Sequence, residues 1–282
     1  MGMWIGQPGK LREITDGAAS FDRSPDLAVS EFRALSGGVT TWAPPVQPRR
    51  LKVKWSAMER DDVTHLDRLA RRVDYPGPVA VLDPLTRNLL APSQALGMGS
   101  PAQWLYNTNI VLYGGSLGRY NANSVSVESV PASGNAELVW LHPYWTGYPV
   151  TPGLAITWWV PGLVESGAAV SGWAIGWLDA TLKQISVTST AEVGAPLVRT
   201  VPDGAAFMLP AVRFNAKGIW PMGNSVLALG DASAALVSGD RPYGEGTPAY
   251  SITDYSHVPV PGRGELRDIG LDLVEVIGSA TG

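Results

Sequence analysis

Residues 154–190 read LAITWWVPGLVESGAAVSGWAIGWLDATLKQISVTST. The runs LAITWWV, GWAIGWL and QISVTST are short, aromatic and β-branched, and none repeats its apolar residues at helical spacing, so strands are predicted. Pro161-Gly162 breaks the chain after the first run. Asp179 follows the second, in a position where Asp commonly bonds its own backbone in a turn. Working outward, SVSVESV (124–130), AELVWLHP (136–143), AAFMLPAVRF (205–214) and SVLALGD (225–231) continue the pattern. Turn signals between them fall at the steps of a β-sandwich or jelly roll.

The composition agrees. In 282 residues there are 32 Gly and 23 Pro, spread along the chain, which favours many turns and short elements. Charged residues make up 16%, against about 25% in an ordinary globular protein, so much of the surface is expected to meet other protein. Cysteine is absent, which excludes disulfides, thiolate catalysis and Cys-based metal sites. The net charge of -4 argues against a nucleic-acid partner, which calls for a basic face. No apolar run approaches the ~18 residues of a membrane helix, and MGMWIGQPGKLREI lacks the pattern of a signal peptide. No membrane insertion is expected.

Charge marks the organisation. Residues 1–95 carry 13 basic and 11 acidic side chains, residues 96–240 carry 5 and 8, and residues 241–282 carry 3 and 6. Eight of the eleven Trp lie in the charge-poor middle. We therefore read a first domain over 1–95, a second over 96–240, and C-terminal strands over 241–282 that return to the first. LLAPSQALGMGSP, around residues 90–99, reads as the linker. Within the first domain, RRLKVKWSAM (49–58) alternates as a half-buried strand. MERDDVTHLDRLARRV then places Val63, Leu66, Leu69, Ala70 and Val73 at helical spacing, predicting a helix near 59–73 that Tyr75-Pro76-Gly77 stops. Its acidic start and basic end complement the helix dipole. Further strands are expected at MWIG, EFRALSGG and GPVAVLDP. The predicted class is all-β with one long helix.

No catalytic or metal constellation is legible, so no enzyme activity, cofactor or metal is expected. His65, His142 and His257 have no partner at metal-ligand spacing, and His65 reads as a solvated helix residue. Glu128, Glu137, Glu165, Asp179 and Glu192 lie in the charge-poor middle domain, and nothing pairs any two of them for glycoside hydrolysis. GGSLGRY (114–120) does not match a dinucleotide loop and reads as a turn. The aromatics are the stronger signal, because a Trp face packs well on the C–H face of a sugar ring. Trp173 and Trp177 fall on one strand face and read as core. Trp159 is compatible with both core and surface. Tyr144, Trp145 and Tyr148 sit in the Pro/Gly-rich VWLHPYWTGYPV, which cannot easily bury them all. The four candidate carbohydrate-binding residues are Tyr144, Trp145, Tyr148 and Trp159. A packing or inter-subunit role fits the loop aromatics equally well.

Two resemblances follow. TPGLAITWWVPG, AVSGWAIGWLDATLKQISVTST, LVRTVPDGAAFMLPAVRF and SVLALGD together resemble a carbohydrate-binding-module jelly roll in strand and turn order. This implies the fold, and recognition of a host cell-wall glycan as one possible function. SFDRSPDLAV, WAPPVQPRRLKVKWSAM, VAVLDPLTRNLLAP and YSITDYSHVPVPGRGELRDIGLDLVEV resemble the distal tail and minor tail proteins of siphophages of actinobacteria. That resemblance implies a tail-tube-like β-barrel with one helix and a homo-oligomeric, sixfold ring. It also implies contact with tail tube, tape measure and hub proteins, and a place in the virion tail after assembly in the bacterial cytoplasm. The structural role at the tail tip is the leading expectation, and glycan binding the alternative.

Overall fold

The computed structural model describes residues 2–25, 29–42, 47–74, 76–98, 100–113, 124–132 and 134–277. GGSLGRY lies outside them. The chain forms two compact units. One takes the described parts of 1–7, 12–81 and 248–282, and the other takes 8–11 and 82–247.

The first unit begins with β1 (Met3–Gly6), β2 (Arg12–Ile14), β3 (Ser20–Pro25), β4 (Ser30–Arg33), β5 (Val39–Trp42), β6 (Arg49–Met58), α1 (Arg60–Ala70) and β7 (Val79–Leu82). The second unit holds β8 (Trp104–Tyr106), β9 (Ile110–Tyr113), β10 (Ser124–Val127), β11 (Ala136–Trp140), β12 (Tyr148–Pro149), β13 (Ala155–Trp159), β14 (Val170–Leu178), β15 (Gln184–Thr190), β16 (Leu197–Thr200), β17 (Phe207–Phe214), β18 (Gly218–Pro221) and β19 (Val226–Leu229). Short helices α2 (Pro92–Ala95), α3 (Pro161–Glu165) and α4 (Ser233–Val237) interrupt them. The chain then returns to the first unit with β20 (Ala249–Val260) and β21 (Arg263–Glu275).

The first unit is a seven-stranded sheet in the order β2-β1-β7-β20-β21-β6-β3. It is open, so the expected barrel is corrected. The reason lies in α1. Leu51, Val53 and Trp55 of β6 and Ile269, Leu271 and Leu273 of β21 turn to one face, where they pack with Leu66, Val63 and Leu69 of the helix. A helix supplies the second layer, so the sheet has no need to curl on itself. The other face stays polar: Asp22 and Asp272 flank Lys52 across three strands, and Lys52 Nζ lies 3.6 Å from Asp272 Oδ2.

Helix α1 ends three residues earlier than expected. Arg72 takes a left-handed φ of 55°, its N–H donates to the Leu69 carbonyl, and the Val73 N–H donates to the Arg68 carbonyl. This is the capping pattern that usually employs Gly, here with Arg. Val73 therefore leaves the apolar stripe and is exposed. His65 is also corrected: its Nε2 donates to the Ile5 carbonyl at 2.9 Å, and burial lowers its pKa.

The second unit is a β-sandwich. One sheet runs β15-β14-β17-β11-β8, with β12 on β17; smaller sheets run β16-β13-β19 and β18-β10-β9. Trp158 of β13 meets Trp140 of β11 edge-on at 5.0 Å, and its Nε1–H donates to the Ala211 carbonyl of β17 at 2.9 Å. Trp140, Trp158, Trp173 and Trp177 are all completely buried. Edge-to-face rings at this spacing add to the area they bury.

The segment read as a linker belongs to this core. Leu89, Leu90 and Ala95 are buried. Two buried amides tie the irregular backbone down: Asn88 donates to the Ser225 and Pro242 carbonyls and accepts from Leu227 N, and Gln94 donates to the Leu141 and Gln103 carbonyls. Each contact satisfies a backbone group that is buried or partly buried. The second unit accordingly starts at 82 rather than 96, and ends at 247 rather than 240.

Candidate functional site

Of the four expected aromatics, Tyr148 opens β12, and two, Tyr144 and Trp145, lie in the loop between β11 and β12. His142 at its start is buried and organises it. Its Nε2 lies 2.7 Å from the Thr247 carbonyl oxygen and so carries the proton, while Nδ1 accepts from the backbone N–H of Tyr144 and Trp145, each at 3.0 Å. Burial drives the imidazole pKa down to about 4, against a smaller opposing pull from the Thr247 bond. The ring is thus neutral, and acts as a clamp on the turn.

The clamp divides the aromatics. Tyr148 is 0% exposed, and its hydroxyl donates to Gln94 Oε1 at 2.7 Å. Burial raises its pKa. Gly147 allows this descent, since a Cβ there would stand 2.9 Å from Phe207 Cβ. Trp145 is half-buried against Leu178, Ala206 and Phe207. Tyr144 is 39% exposed and meets Trp145 edge-on at 5.3 Å. Trp159 lies apart from the loop: only 6% exposed, it donates Nε1–H to the Val193 carbonyl and sits under the Arg241 guanidinium at 5.4 Å. Tyr148 and Trp159 therefore present no face to a ligand, and a loop surface of Tyr144 and Trp145 remains.

The carboxylates stay apart in function. Glu137 pairs with Arg213 and Glu165 with Arg241, each at 2.9 Å. Asp179 accepts from the Thr181 hydroxyl and from the Lys183 and Thr181 N–H groups in its own turn, and these bonds, the hydroxyl's foremost, lower its pKa. Among the described residues no three His, Asp or Glu side chains converge as a metal site would require.

The first unit has a different kind of surface. β4 and β5 form a hairpin of their own, with Phe32 opposite Thr40 and Ser30 opposite Trp42. Every residue of both strands is exposed. Phe32 (62% exposed) and Trp42 (58%) share one face, Val39 is exposed on the other, opposite Arg33, and Val29 and Leu35 are exposed just outside the strands. Sequence reading found only the first half of this arm, within EFRALSGG. The signal for the rest was Ser36-Gly37-Gly38 between two alternating runs, a hairpin turn flanked by strands.

No family model matches the sequence, and no curated protein matches it. Two solved structures are similar to it at low level. One is an arabinose-bound GH51 α-L-arabinofuranosidase: 14% identity, TM-score 0.31, 51% of this chain and 27% of that one. The chain thus spans about a quarter of that enzyme's length. The other is described as a carbohydrate-binding module of the β-sandwich superfamily with promiscuous specificity: 14% identity, TM-score 0.29, 81% of this chain and 92% of that one. Likeness this slight does not tell what this chain binds.

Proposed function

We propose that the chain is a non-enzymatic structural protein that assembles with copies of itself, of the kind found at the tip of a long phage tail. One observation carries this reading: the β4–β5 arm exposes Phe32 and Trp42 on one face and Val39 on the other, with no layer of the described residues over them. Burying a large apolar side chain is worth about 1.5–3 kcal/mol, so an arm left in water forgoes several such gains. Large apolar side chains left exposed together in this way support an interaction site. The outer strand β3, with Phe21 exposed, adds an edge that a neighbour could pair with. In this reading the first unit forms the ring, sixfold as the resemblance implies. Tail tube, tape measure and hub proteins are its neighbours, and the virion tail is its location.

The test is the mass and shape of the purified full chain, by light scattering and negative-stain imaging. A closed ring is expected, and Phe32→Ser with Trp42→Ser should release monomers. A wild-type chain that stays monomeric at micromolar concentration, with or without tail tube protein, would overturn the proposal.

The Tyr144–Trp145 pair favours a second reading, in which the sandwich grips a host-wall glycan. An exposed Tyr edge-on to a half-buried Trp offers an amphipathic platform held rigid by His142. Co-sedimentation with purified actinobacterial cell wall tests it. Tyr144→Ala, which removes no core contact, should weaken retention, and failure of the wild type to sediment would remove the reading.

A further inference from the structure

The second unit contains a cleft of about 300 Å³ that neither reading uses. It opens where three segments meet: the turn after α2, the end of α3, and the loop after β18. Leu96, Met98, Pro221 and Met222 give it an aliphatic floor, and Glu165 and Asn224 are the polar groups beside it.

The backbone there tolerates little change. A Cβ on Gly162 would stand 2.3 Å from the Gly223 carbonyl oxygen, and one on Gly97 would stand 2.6 Å from that of Met222. Two glycines thus permit the three segments to come together. Asn224 holds a left-handed φ of 55°, a conformation that Asn tolerates and most residues do not. Asn224 is exposed, and its amide makes no hydrogen bond within the described residues, so it is open to solvent and to a ligand, whereas the buried amides of Asn88 and Gln94 are taken up by backbone groups. Leu96 and Met98 are about half-exposed at the cleft, although both are large and apolar.

The chemistry narrows the ligand. Glu165 accepts from Arg241 Nη2 at 2.9 Å through Oε1, which fixes its carboxylate and leaves Oε2 able to accept. Glu165 and Arg241 offset each other, so the rim carries no net charge and gives neither an anion nor a cation a net electrostatic gain. The floor has no aromatic ring on which a nucleobase could stack. What suits the cleft is a neutral ring with an apolar C–H face and hydroxyls at its rim. Its C–H face lies on the Leu, Met and Pro side chains, while vicinal hydroxyls donate to Glu165 and exchange bonds with the Asn224 amide. The volume lies at the lower end of ligand sites, which fits one or two sugar rings.

We propose that this cleft binds a neutral hexopyranose unit of a glycan. The inference rests on the glycan-binding reading of the sandwich, and it moves the specific contact from the Tyr144–Trp145 loop to the cleft.

The experiment titrates the full chain with the methyl glycosides of glucose, galactose, mannose and N-acetylglucosamine, followed by ligand-observed NMR and calorimetry. Asn224→Gly removes the amide while keeping a residue at home at positive φ, so thermal stability should hold. Glu165→Gln removes the carboxylate. Each should lower affinity for the preferred glycoside about tenfold, the loss of one good hydrogen bond, with Tyr144→Ala unchanged. Binding that survives both changes and disappears in Tyr144→Ala would overturn the cleft while leaving the glycan reading intact. No binding of any of the four glycosides by the wild type would overturn the cleft, and retention on cell wall would then decide the glycan reading separately.

Discussion

Trp158 and Trp42 are the same residue type on strands of similar length, and their fates are opposite. Trp158 on β13 is completely buried, touches Trp140 edge-on and donates its indole N–H to the Ala211 carbonyl. Trp42 on β5 stands 58% exposed on a hairpin that, among the described residues, no other strand pairs with. Local sequence makes a strand in both places. What differs is the second layer. The sandwich supplies one from its own chain, in the sheet β15-β14-β17-β11-β8, whereas among the described residues nothing supplies one for the arm, and the proposed assembly would draw it from another copy. A strand's apolar face shows that something covers it, without showing whether the cover is in cis.

The sharpest way to test this contrast is to truncate both residues. Trp158→Ala removes a buried ring, opens a cavity and loses the indole hydrogen bond to the Ala211 carbonyl. It should cost about 3–5 kcal/mol by chemical denaturation. A loss below 1 kcal/mol would mean that the sandwich core is loosely packed and that the contrast is not real.

The next effect comes from pH. His142 has a pKa near 4 in the folded chain and near the ordinary 6.5 when unfolded. Between those values the unfolded state binds the extra proton, so stability is full above about 6.5 and declines as pH falls towards 4. Below that the folded ring also takes its proton, and this contribution stops changing. The shift corresponds to a loss on the order of 3 kcal/mol across the window. His65 in the first unit is lowered as well, again chiefly by burial, and has the same sign. His142→Gln should therefore flatten most of the decline in thermal midpoint between pH 6.5 and 4, leaving a smaller slope from His65. An unchanged slope would show that His142 is not the clamp.

Smaller again is the amide that ties down the former linker. Gln94→Ala takes a partner from the Tyr148 hydroxyl and from the Leu141 and Gln103 carbonyls, leaving the first two only their long 3.4 Å bond to each other, and should cost about 1–3 kcal/mol. That segment also shows where sequence reading stops. Ala91-Pro92-Ser93 and Gly97 carry the composition of a connector, and an amide that bonds backbone groups far away in sequence leaves no periodic trace. Tyr148 was misjudged for a related reason. A Pro/Gly-rich loop suggested exposure, but Gly147 lets the loop approach β17 closely enough to bury the ring. Trp159 stayed undecided because alternation places it opposite Trp158, and only tertiary structure shows that Arg241 covers that side as well. The strands of the sandwich were legible because each carries its own period and turn. The stripe of α1 was legible too, yet the stripe alone does not tell that one helix suffices to keep the sheet open. The cleft beside Glu165 gave no signal, since its parts lie more than 50 residues apart and meet only through glycines.

The smallest expected change in stability belongs to the arm, and it cuts deepest into the comparison. Phe32→Ser with Trp42→Ser removes two large apolar side chains that touch no layer of their own subunit. In dilute solution, where only monomers are present, the unfolding free energy should move by less than about 0.5 kcal/mol, as for ordinary surface positions. At higher concentration the wild type should gain apparent stability from self-association, because only the folded chain assembles, and the double variant should not. Two melting curves at concentrations a hundredfold apart distinguish the cases. If the dilute double variant loses several kcal/mol, the arm folds back on its own subunit, and Trp42 and Trp158 differ only in degree. If both proteins melt alike at every concentration, the arm's cover is not another copy of this chain.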